Sequence, residues 1–178
     1  MKCEVEVKAK VSDSVSLTKK LSEMGCFLSD PIEQHDYIYN QKGIDLSHHT
    51  TPVLRIRVQG ERTIFTFKQN RGGELDCIEK EVDVNSKETL SEIIELLGYE
   101  KTVEVHKTRK KGIYNDLEIC LDDVKGLGVY IEVEKMTDED GQKVQKELFD
   151  FLKTLGIKEE DRVMQGYDSQ IYEKNKNL

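Results

Sequence analysis

Several features that mark other classes of protein are scarce or missing in this sequence. It contains no tryptophan and two prolines, and no Pro-rich linker or low-complexity tract divides it. Its four cysteines are scattered without a CxxC pair, which favours reduced thiols over a disulfide framework or a zinc site. No apolar run is long enough to span a bilayer, and the N-terminus lacks a signal-peptide core. We therefore expect no membrane partner and a cytoplasmic location.

The balance of charge argues against a further class. Acidic residues number 35 and basic residues 27, so the formal net charge is -8. Because a general nucleic-acid binder needs concentrated positive charge, we expect no nucleic-acid partner. Charged residues make up 35% of the chain, but their patterning is too regular for a disordered protein. The length suits one domain, which we place at residues 1–173, with 174–178 as a frayed tail.

The stretch Glu4-Val5-Glu6-Val7-Lys8 alternates strictly between charged and apolar residues. Alternation with period two indicates a β-strand with unlike faces, here an apolar face and a face of two carboxylates and an ammonium. For one strand, the ordinary interpretation is the solvated side of an antiparallel sheet. The alternative is a wall that binds metal and phosphate. Later strands repeat the pattern, and this repetition favours the alternative.

Helices are predicted between runs of strands. Capping residues predict helix starts at Ser12-Asp13, at Ser86, and at Thr137 with Asp140. The apolar stripe of the first helix is expected at Val15, Leu17, Leu21 and Met24, and that of the second at Leu90, Ile93, Ile94 and Leu97. A last short helix is expected after Asp161. Strands broken by segregated helices indicate an α+β fold, and about eight antiparallel strands are enough to close a barrel with a narrow interior.

Seven further strands are predicted from alternation and β propensity. Segment 41–52 has the composition of a long exposed loop, and Gly72-Gly73 that of a turn. A second turn is predicted at Asn115-Asp116. The predicted strands are 34–40, 53–58, 63–68, 77–82, 103–109, 117–122 and 129–134.

Pairs of like charges two residues apart recur along these strands, and this spacing puts both members on one face. If all such faces turn inward, the barrel carries fixed charges of both signs inside and apolar faces under the helices. Buried charge must be paired or solvated, and a polyphosphate with a divalent cation would satisfy it. Salt-bridge ladders on a wet sheet are the alternative. The pairs are Glu4/Glu6, Glu79/Glu81, Glu132/Glu134, Arg55/Arg57 and Lys107/Arg109, with Lys8 and Lys68 as single additions.

The ordered set of motifs resembles the CYTH family, the triphosphate tunnel metalloenzymes, over nearly the whole chain. Four motifs match the family pattern: ExExK from Glu4 to Lys8, RxR at Arg55 and Arg57, the strand that ends at Lys68, and KxR at Lys107 and Arg109. The run LDDVKGLGVYIEVE, from Leu121 to Glu134, and the segment HDYIY resemble the class IV adenylyl cyclase branch. One position departs: Cys77 stands where family members often carry an arginine, which puts one phosphate contact in doubt.

The resemblance implies an eight-stranded antiparallel closed barrel, a tunnel with a charged interior and helices packed outside. It implies a cofactor, Mg²⁺ or Mn²⁺, bridging the substrate phosphates. It also implies catalytic roles for Lys8, Arg57 and Asp122, the last as metal ligand or base. The implied metal ligands are Glu4, Glu6, Asp122, Glu132 and Glu134.

The implied activity is that of an enzyme acting on a small-molecule triphosphate. In a class IV adenylyl cyclase, the ribose 3′-hydroxyl of ATP attacks the α-phosphorus and pyrophosphate leaves. A triphosphatase acting on inorganic, thiamine or nucleoside triphosphate is the alternative, and a non-catalytic polyphosphate- or nucleotide-binding module is a third hypothesis. A homodimer is compatible with this branch. The implied substrate-binding residues are Lys8, Arg55, Arg57, Lys68, Glu79, Glu81, Lys107 and Arg109.

Overall fold

Eight antiparallel strands close into a barrel in the computed structural model, which describes residues 3–43, 52–73 and 76–176. A two-residue strand, β9, pairs with β1 outside this set. The strands are β1 (Cys3–Lys10), β2 (Ile32–Gln41), β3 (Val53–Gln59), β4 (Arg62–Gly73), β5 (Asp76–Val84), β6 (Tyr99–Tyr114), β7 (Leu117–Val124), β8 (Gly128–Thr137) and β9 (Arg162–Val163).

Around the barrel the strand order is β1, β5, β4, β3, β2, β6, β7, β8, and β8 pairs again with β1. Every pairing is antiparallel, as the sequence predicts. Asn115, at φ 55°, occupies the tight turn between β6 and β7, where a short polar side chain tolerates the left-handed conformation. In a closed barrel, successive side chains of each strand point alternately inside and outside, so the two residue types of the alternating pattern lie in different environments.

Four α-helices accompany the barrel: α1 (Ser14–Glu23), α2 (Lys87–Leu96), α3 (Gly141–Thr154) and α4 (Tyr167–Lys176). Asp13 and Ser86 cap α1 and α2 by accepting hydrogen bonds from backbone N–H groups of the first turn. The predicted start at Thr137 is wrong, because Asp140 caps α3 and Thr137 ends β8. None of the helices within the described ranges is long and apolar enough to cross a membrane.

The structure differs from the predicted turn at Gly72-Gly73 and from the predicted extent of the last helix. Gly72 and Gly73 belong to β4, where the pairing with β5 is irregular, so the predicted turn at these glycines is wrong. Helix α4 begins at Tyr167, later than expected, and continues to Lys176, into the predicted tail. Segment 44–51 of the predicted loop lies outside the described residues.

The outer apolar faces of the strands form the core against the helices. Helices α1 and α3 cover β1, β7 and β8 through one cluster that includes Val7, Leu21 and Leu152. Helix α2 covers β2, β3 and β4 through a smaller cluster centred on Ile56 and Ile94. With the apolar faces outside and covered, the charged faces of the strands must point into the barrel.

The sequence predicts the buried apolar positions of the helices less accurately than the inward-facing positions of the strands. In α1, Leu17 and Leu21 are buried as expected, but Val15 is exposed. In α2, Ile94 is buried, whereas Ile93 and Leu97 of the predicted stripe are exposed. These helices are short and pack on the barrel along narrow lines, so fewer positions per turn are covered than a full amphipathic stripe provides.

Candidate functional site: a charged tunnel

The inner faces of the strands surround a cavity of about 400 Å³, which we call the tunnel. The structure therefore brings together side chains that the sequence spreads over 130 positions of the chain. Of the thirteen site residues that the sequence predicts, Asp122 alone does not line the tunnel. The other twelve do: Glu4, Glu6, Lys8, Arg55, Arg57, Lys68, Glu79, Glu81, Lys107, Arg109, Glu132 and Glu134.

Four lining carboxylates, Glu4, Glu6, Glu132 and Glu134, form what we call the acidic cluster. The antiparallel register places Glu6 opposite Glu134 and Lys8 opposite Glu132. One carboxylate oxygen from each of Glu6, Glu132 and Glu134 lies within 4.8 Å of the other two. Like charges at opposed strand positions repel, so this arrangement costs stability unless a cation lies among them.

The pKa values of the acidic cluster reflect burial first and this repulsion second. Burial raises the pKa of Glu4 to about 7, with Glu79 and Glu6 adding to the effect against Lys68. Burial likewise raises the pKa of Glu6, with Glu132 adding to it, and raises that of Glu134 well above the usual carboxyl range. Glu4, Glu6 and Glu134 therefore lack a full set of cationic partners, and such carboxylates match the ligand preference of hard divalent cations such as Mg²⁺ and Mn²⁺.

Glu132 is the exception within the acidic cluster. Burial alone would raise its pKa, but Lys8, Arg109 and Lys107 outweigh burial and hold the pKa well below the usual range. Lys8 Nζ lies 3.1 Å from carboxylate oxygens of both Glu6 and Glu132. Burial opposes the charge on Lys8, yet these two carboxylates raise its pKa above the ordinary value. Lys8 is therefore a permanent cation at the edge of the cluster.

Five cationic side chains from β3, β4 and β6 form what we call the basic wall: Arg55, Arg57, Lys68, Lys107 and Arg109. Arg55 donates to Glu79 at 2.9 Å and to Glu81 at 3.0 Å, and Lys68 pairs with Glu79 at 2.5 Å. Burial would raise the pKa of Glu79, but Lys68 and Arg55 lower it to about 2. The Nε of Arg55 is buried and has no hydrogen-bond partner among the described residues, which leaves a donor for an anion.

Arg57 is fixed by a residue that sequence reasoning missed. Its Nε and one terminal nitrogen each donate to Asp36 at 2.7 Å, in the bidentate geometry of a strong pair. Asp36 lies opposite Arg57 in the β2–β3 register and also lines the tunnel. The sequence contains no local signal for this pair, because the connection from β2 to β3 leaves the register of the two strands undetermined.

Asp122 lies behind the tunnel wall and is fully buried. It accepts from Lys107 at 2.9 Å and from Arg109 at 2.7 and 2.6 Å. Arg109 also donates to Glu132. Burial lowers the pKa of Lys107 to about 8, with Arg109 adding to the effect. The position of Asp122 thus suits holding two basic side chains in place, and it differs from the predicted position among the metal ligands.

The first residue of α4 also enters the tunnel. The ring of Tyr167 has Lys8 Nζ 4.2 Å and Lys107 Nζ 4.9 Å from its centroid. Its hydroxyl oxygen is buried and has no hydrogen-bond partner among the described residues. Asp168 and Ser169 line the cavity beside it. The polar C-terminal segment, with tyrosines at 167 and 172, gives no sequence signal of this position.

The cysteines and the aromatic residues His35 and Tyr37 are the remaining side chains of chemical interest. Cys77 lines the tunnel, and burial raises the pKa of its thiol to about 12. All four cysteines are buried, and none of them is joined in a disulfide. His35 and Tyr37 point away from Asp36 on the outer face of β2, where Tyr37 accepts a hydrogen bond from Lys87.

Comparison with known proteins agrees with this geometry. The family model described as the CYTH domain matches residues 2–167. A protein from Methanocaldococcus jannaschii, described as "Putative adenylate cyclase", is 31% identical over 172 residues, which cover 92% of this chain and 95% of that protein.

Two solved structures extend the comparison. The PH1819 protein from Pyrococcus horikoshii superimposes with a TM-score of 0.82 at 27% identity, covering 96% of this chain and 99% of the other. A Hippeastrum protein, described as a "putative adenylyl cyclase" with a dominant triphosphatase activity, superimposes with a TM-score of 0.66 at 16% identity, covering 98% and 96%.

Fold and site together define a class: closed antiparallel barrels whose interior holds fixed charges of both signs. The family match spans nearly the whole chain, and the Methanocaldococcus relative is similar over nearly all of its own length. The chain belongs to the CYTH domain family. The predicted family and the predicted eight-stranded barrel with helices outside are both confirmed.

Proposed function

We propose that this protein is a divalent-metal-dependent enzyme that binds ATP in the tunnel and converts it to cyclic AMP and pyrophosphate. The observation that carries the proposal is the placement of the acidic cluster and the basic wall around one cavity. A triphosphate needs both, because its oxygens attract arginine and lysine and its charge recruits a cation held by carboxylates.

The acidic cluster fits the cation that this proposal requires. Glu6, Glu132 and Glu134 would hold Mg²⁺ or Mn²⁺, with Glu4 beside them. When bound, the ion supplies neutralisation of the charge that develops on the phosphates during displacement. Glu4, Glu6 and Glu134 are the carboxyls whose pKa values are raised in the free tunnel, so they gain most from a nearby cation.

The basic wall has the task of orienting the triphosphate. Arg55 and Arg57 offer guanidinium forks. Arg55 is already held by Glu79 of β5, and Arg57 by Asp36 of the adjacent strand β2. Lys107 and Arg109 are held from behind by Asp122. Because these donors are fixed before substrate arrives, they stabilise developing charge without reorganising, and this is the main source of catalysis in phosphoryl and nucleotidyl transfer.

In the cyclase reaction, the oxygen of the ribose 3′-hydroxyl bonds to the α-phosphorus as the bond from that phosphorus to the leaving pyrophosphate breaks, and the hydroxyl proton passes to solvent. Lys8 cannot serve as the base, because Glu6 and Glu132 keep it protonated. We assign Lys8 to stabilising phosphate charge and Arg57 to holding the phosphate chain. We assign Asp122 a positioning role, since both of its oxygens are already occupied by Lys107 and Arg109.

A triphosphatase is the second candidate. It would use the same tunnel, with a water attacking the terminal phosphorus. Two similar proteins divide between the candidates: the Methanocaldococcus relative carries the adenylate cyclase description, whereas the Hippeastrum structure is associated with a dominant triphosphatase activity. The higher identity of the former, 31% against 16%, favours the cyclase proposal.

Product analysis separates these candidates. The purified protein is incubated with Mg²⁺ or Mn²⁺ and offered ATP and inorganic triphosphate side by side. Cyclic AMP with equimolar pyrophosphate supports the cyclase. Orthophosphate from inorganic triphosphate, without cyclic AMP, supports the triphosphatase. Binding of both compounds, seen as a raised Tm without turnover, would instead favour a non-catalytic binding module.

A further inference from the structure

We infer that the outer face of the barrel carries a second metal site, formed by His35, Glu104 and His106 and suited to Zn²⁺ or another borderline transition metal. The site is independent of the tunnel, because all three side chains lie on the opposite face of their strands from the tunnel residues Asp36, Val105 and Lys107. It also differs from the tunnel in ligand type, with two imidazoles and one carboxylate.

The register of β2 and β6 creates the cluster. His35 lies directly opposite His106, and Glu104 shares a strand face with His106 two residues away. One ligand atom from each of the three residues lies within 4.8 Å of the other two. Both strands are central members of a closed barrel, so the three side chains start from a rigid backbone rather than from loops.

The observed separations suit a small tetrahedral ion. Glu104 Oε2 lies 2.9 Å from His35 Nε2 and 3.8 Å from His106 Nε2. Zinc bonds of about 2.0–2.2 Å place neighbouring tetrahedral ligands roughly 3.3–3.6 Å apart. The two measured distances bracket that range, and the ligand atoms of the two imidazoles lie within 4.8 Å of each other. The rings are 3.5 Å apart at their centroids, so they must rotate apart for both nitrogens to face one ion. Three protein ligands leave the fourth position for water or an exchangeable ligand.

The surrounding residues provide the support that metal-binding histidines normally have. Tyr37 Oη lies 3.0 Å from His35 Nδ1, and it accepts from Lys87 at 3.3 Å. Without metal, His35 Nε2–H donates to Glu104. With metal on Nε2, the same proton resides on Nδ1 and is donated to Tyr37, which fixes the ring orientation. Binding therefore needs a change of tautomer rather than loss of a proton from His35.

Charge around the cluster permits a cation. Glu104 uses its other oxygen, Oε1, for Lys101, so Oε2 is the oxygen directed at the two imidazoles. The imidazole rings of His35 and His106 are 3.5 Å apart at their centroids, a separation at which two imidazolium ions would repel. Burial lowers the pKa of His35, and the neighbouring Glu104 and His106 act in opposite directions. The neutral ring is the form that binds metal.

Ligand chemistry separates this site from the tunnel. Imidazole nitrogen favours Zn²⁺, Cu²⁺ and Ni²⁺, whereas the all-carboxylate cluster favours Mg²⁺ and Mn²⁺. We therefore expect one chain to hold two classes of metal at once. A cluster held only by the hydrogen bond between His35 and Glu104 is the competing interpretation, and it predicts no tight zinc binding.

The test is a zinc titration of the full chain against a chromophoric chelator, in millimolar Mg²⁺ to occupy the tunnel. The expected result is one tight Zn²⁺ equivalent that Mg²⁺ does not displace. In His106→Gln and in Glu104→Gln the zinc affinity should fall by at least about 100-fold, because loss of a direct ligand costs more than the roughly 10–100-fold loss seen for outer-shell partners. Both side chains are partly exposed, so the variants should fold, and an unchanged far-UV circular dichroism spectrum is the check.

Two controls identify where the zinc is bound. Glu134→Gln alters the tunnel, and the double variant His48→Gln/His49→Gln removes the remaining histidines; both should retain the tight zinc equivalent. Co²⁺ bound at the site should give ligand-field bands without thiolate charge-transfer absorption. The inference is overturned if wild type shows no tight equivalent, if His106→Gln titrates like wild type, or if either control loses the site. None of these results bears on the proposed cyclase activity.

Discussion

Glu6 lies directly opposite Glu134 across the β1–β8 pair, and burial raises the pKa of both carboxyls. Two opposed carboxylates in a barrel interior lower the stability of the free protein, so their presence implies a compensating role in binding a cation. Glu134→Gln should therefore stabilise the metal-free protein while reducing metal-dependent turnover by at least about 100-fold. Thermal unfolding with and without Mg²⁺, together with product formation, measures both effects.

Glu100→Gln provides the matched control, because Glu100 is an exposed carboxylate on β6 outside the tunnel. It should change neither the Tm nor the turnover. In wild type, saturating metal should raise the free energy of unfolding by about 2.7 kcal/mol at a concentration 100 times Kd. Retention of that gain in Glu134→Gln would contradict the assignment of the acidic cluster as the metal site.

The pair of Asp36 and Arg57 predicts a pH dependence of stability. Arg57 lowers the pKa of Asp36 well below its usual value against the opposing effect of burial. A depressed folded-state pKa contributes stability that is fully present above the unfolded pKa, about 3.9, and is lost as pH falls further. Asp36→Asn should cost about 3 kcal/mol near pH 6, because it leaves Arg57 buried without its partner.

Urea unfolding of wild type and Asp36→Asn at several pH values between 3 and 6 checks this expectation. The difference in the free energy of unfolding should be constant from pH 6 to about 4.5. It should shrink below about pH 4, because Asp36 of unfolded wild type binds a proton there while the folded form stays ionised. A difference that stays constant down to pH 3 would show that the carboxylate charge of Asp36 contributes nothing.

Asp122→Asn distinguishes two roles for a fully buried carboxylate. As a positioning residue, Asp122 holds Lys107 and Arg109, so its loss should lower kcat and weaken triphosphate binding while the metal affinity stays within about threefold of wild type. As a metal ligand, its loss should reduce metal affinity as strongly as Glu134→Gln does. Metal titration of the two variants side by side decides between these roles.

The strand faces could be predicted from sequence because alternation with period two assigns every residue of a strand to one side or the other. The ExExK stretch of β1 fixes its own inner face, and twelve of the thirteen predicted site residues line the tunnel for this reason. Asp122 follows the same alternation, yet it lies behind Lys107 and Arg109. Depth within a face depends on the neighbouring strands, and alternation carries no information about it.

Contacts between distant segments were the part that sequence could not supply. The pairing of Asp36 with Arg57 depends on the β2–β3 register, and the entry of Tyr167 depends on where α4 docks. The start of α3 was misassigned because Thr137 and Asp140 are both acceptable caps, and the end of β8 decides between them. Local chemistry offers such alternatives, and tertiary packing selects among them.

Tyr167→Phe tests whether the end of α4 contributes to substrate binding. The hydroxyl of Tyr167 is buried without a partner among the described residues, so its removal should stabilise the free protein by about 1 kcal/mol. If the hydroxyl donates to a charged substrate oxygen, the same change should weaken triphosphate binding by about 10–100-fold. Tyr172→Phe, on the same helix, is the control and should alter neither quantity. Tighter or unchanged binding in Tyr167→Phe, measured by calorimetry with a non-hydrolysable triphosphate, would leave Tyr167 as a packing residue that only closes the tunnel.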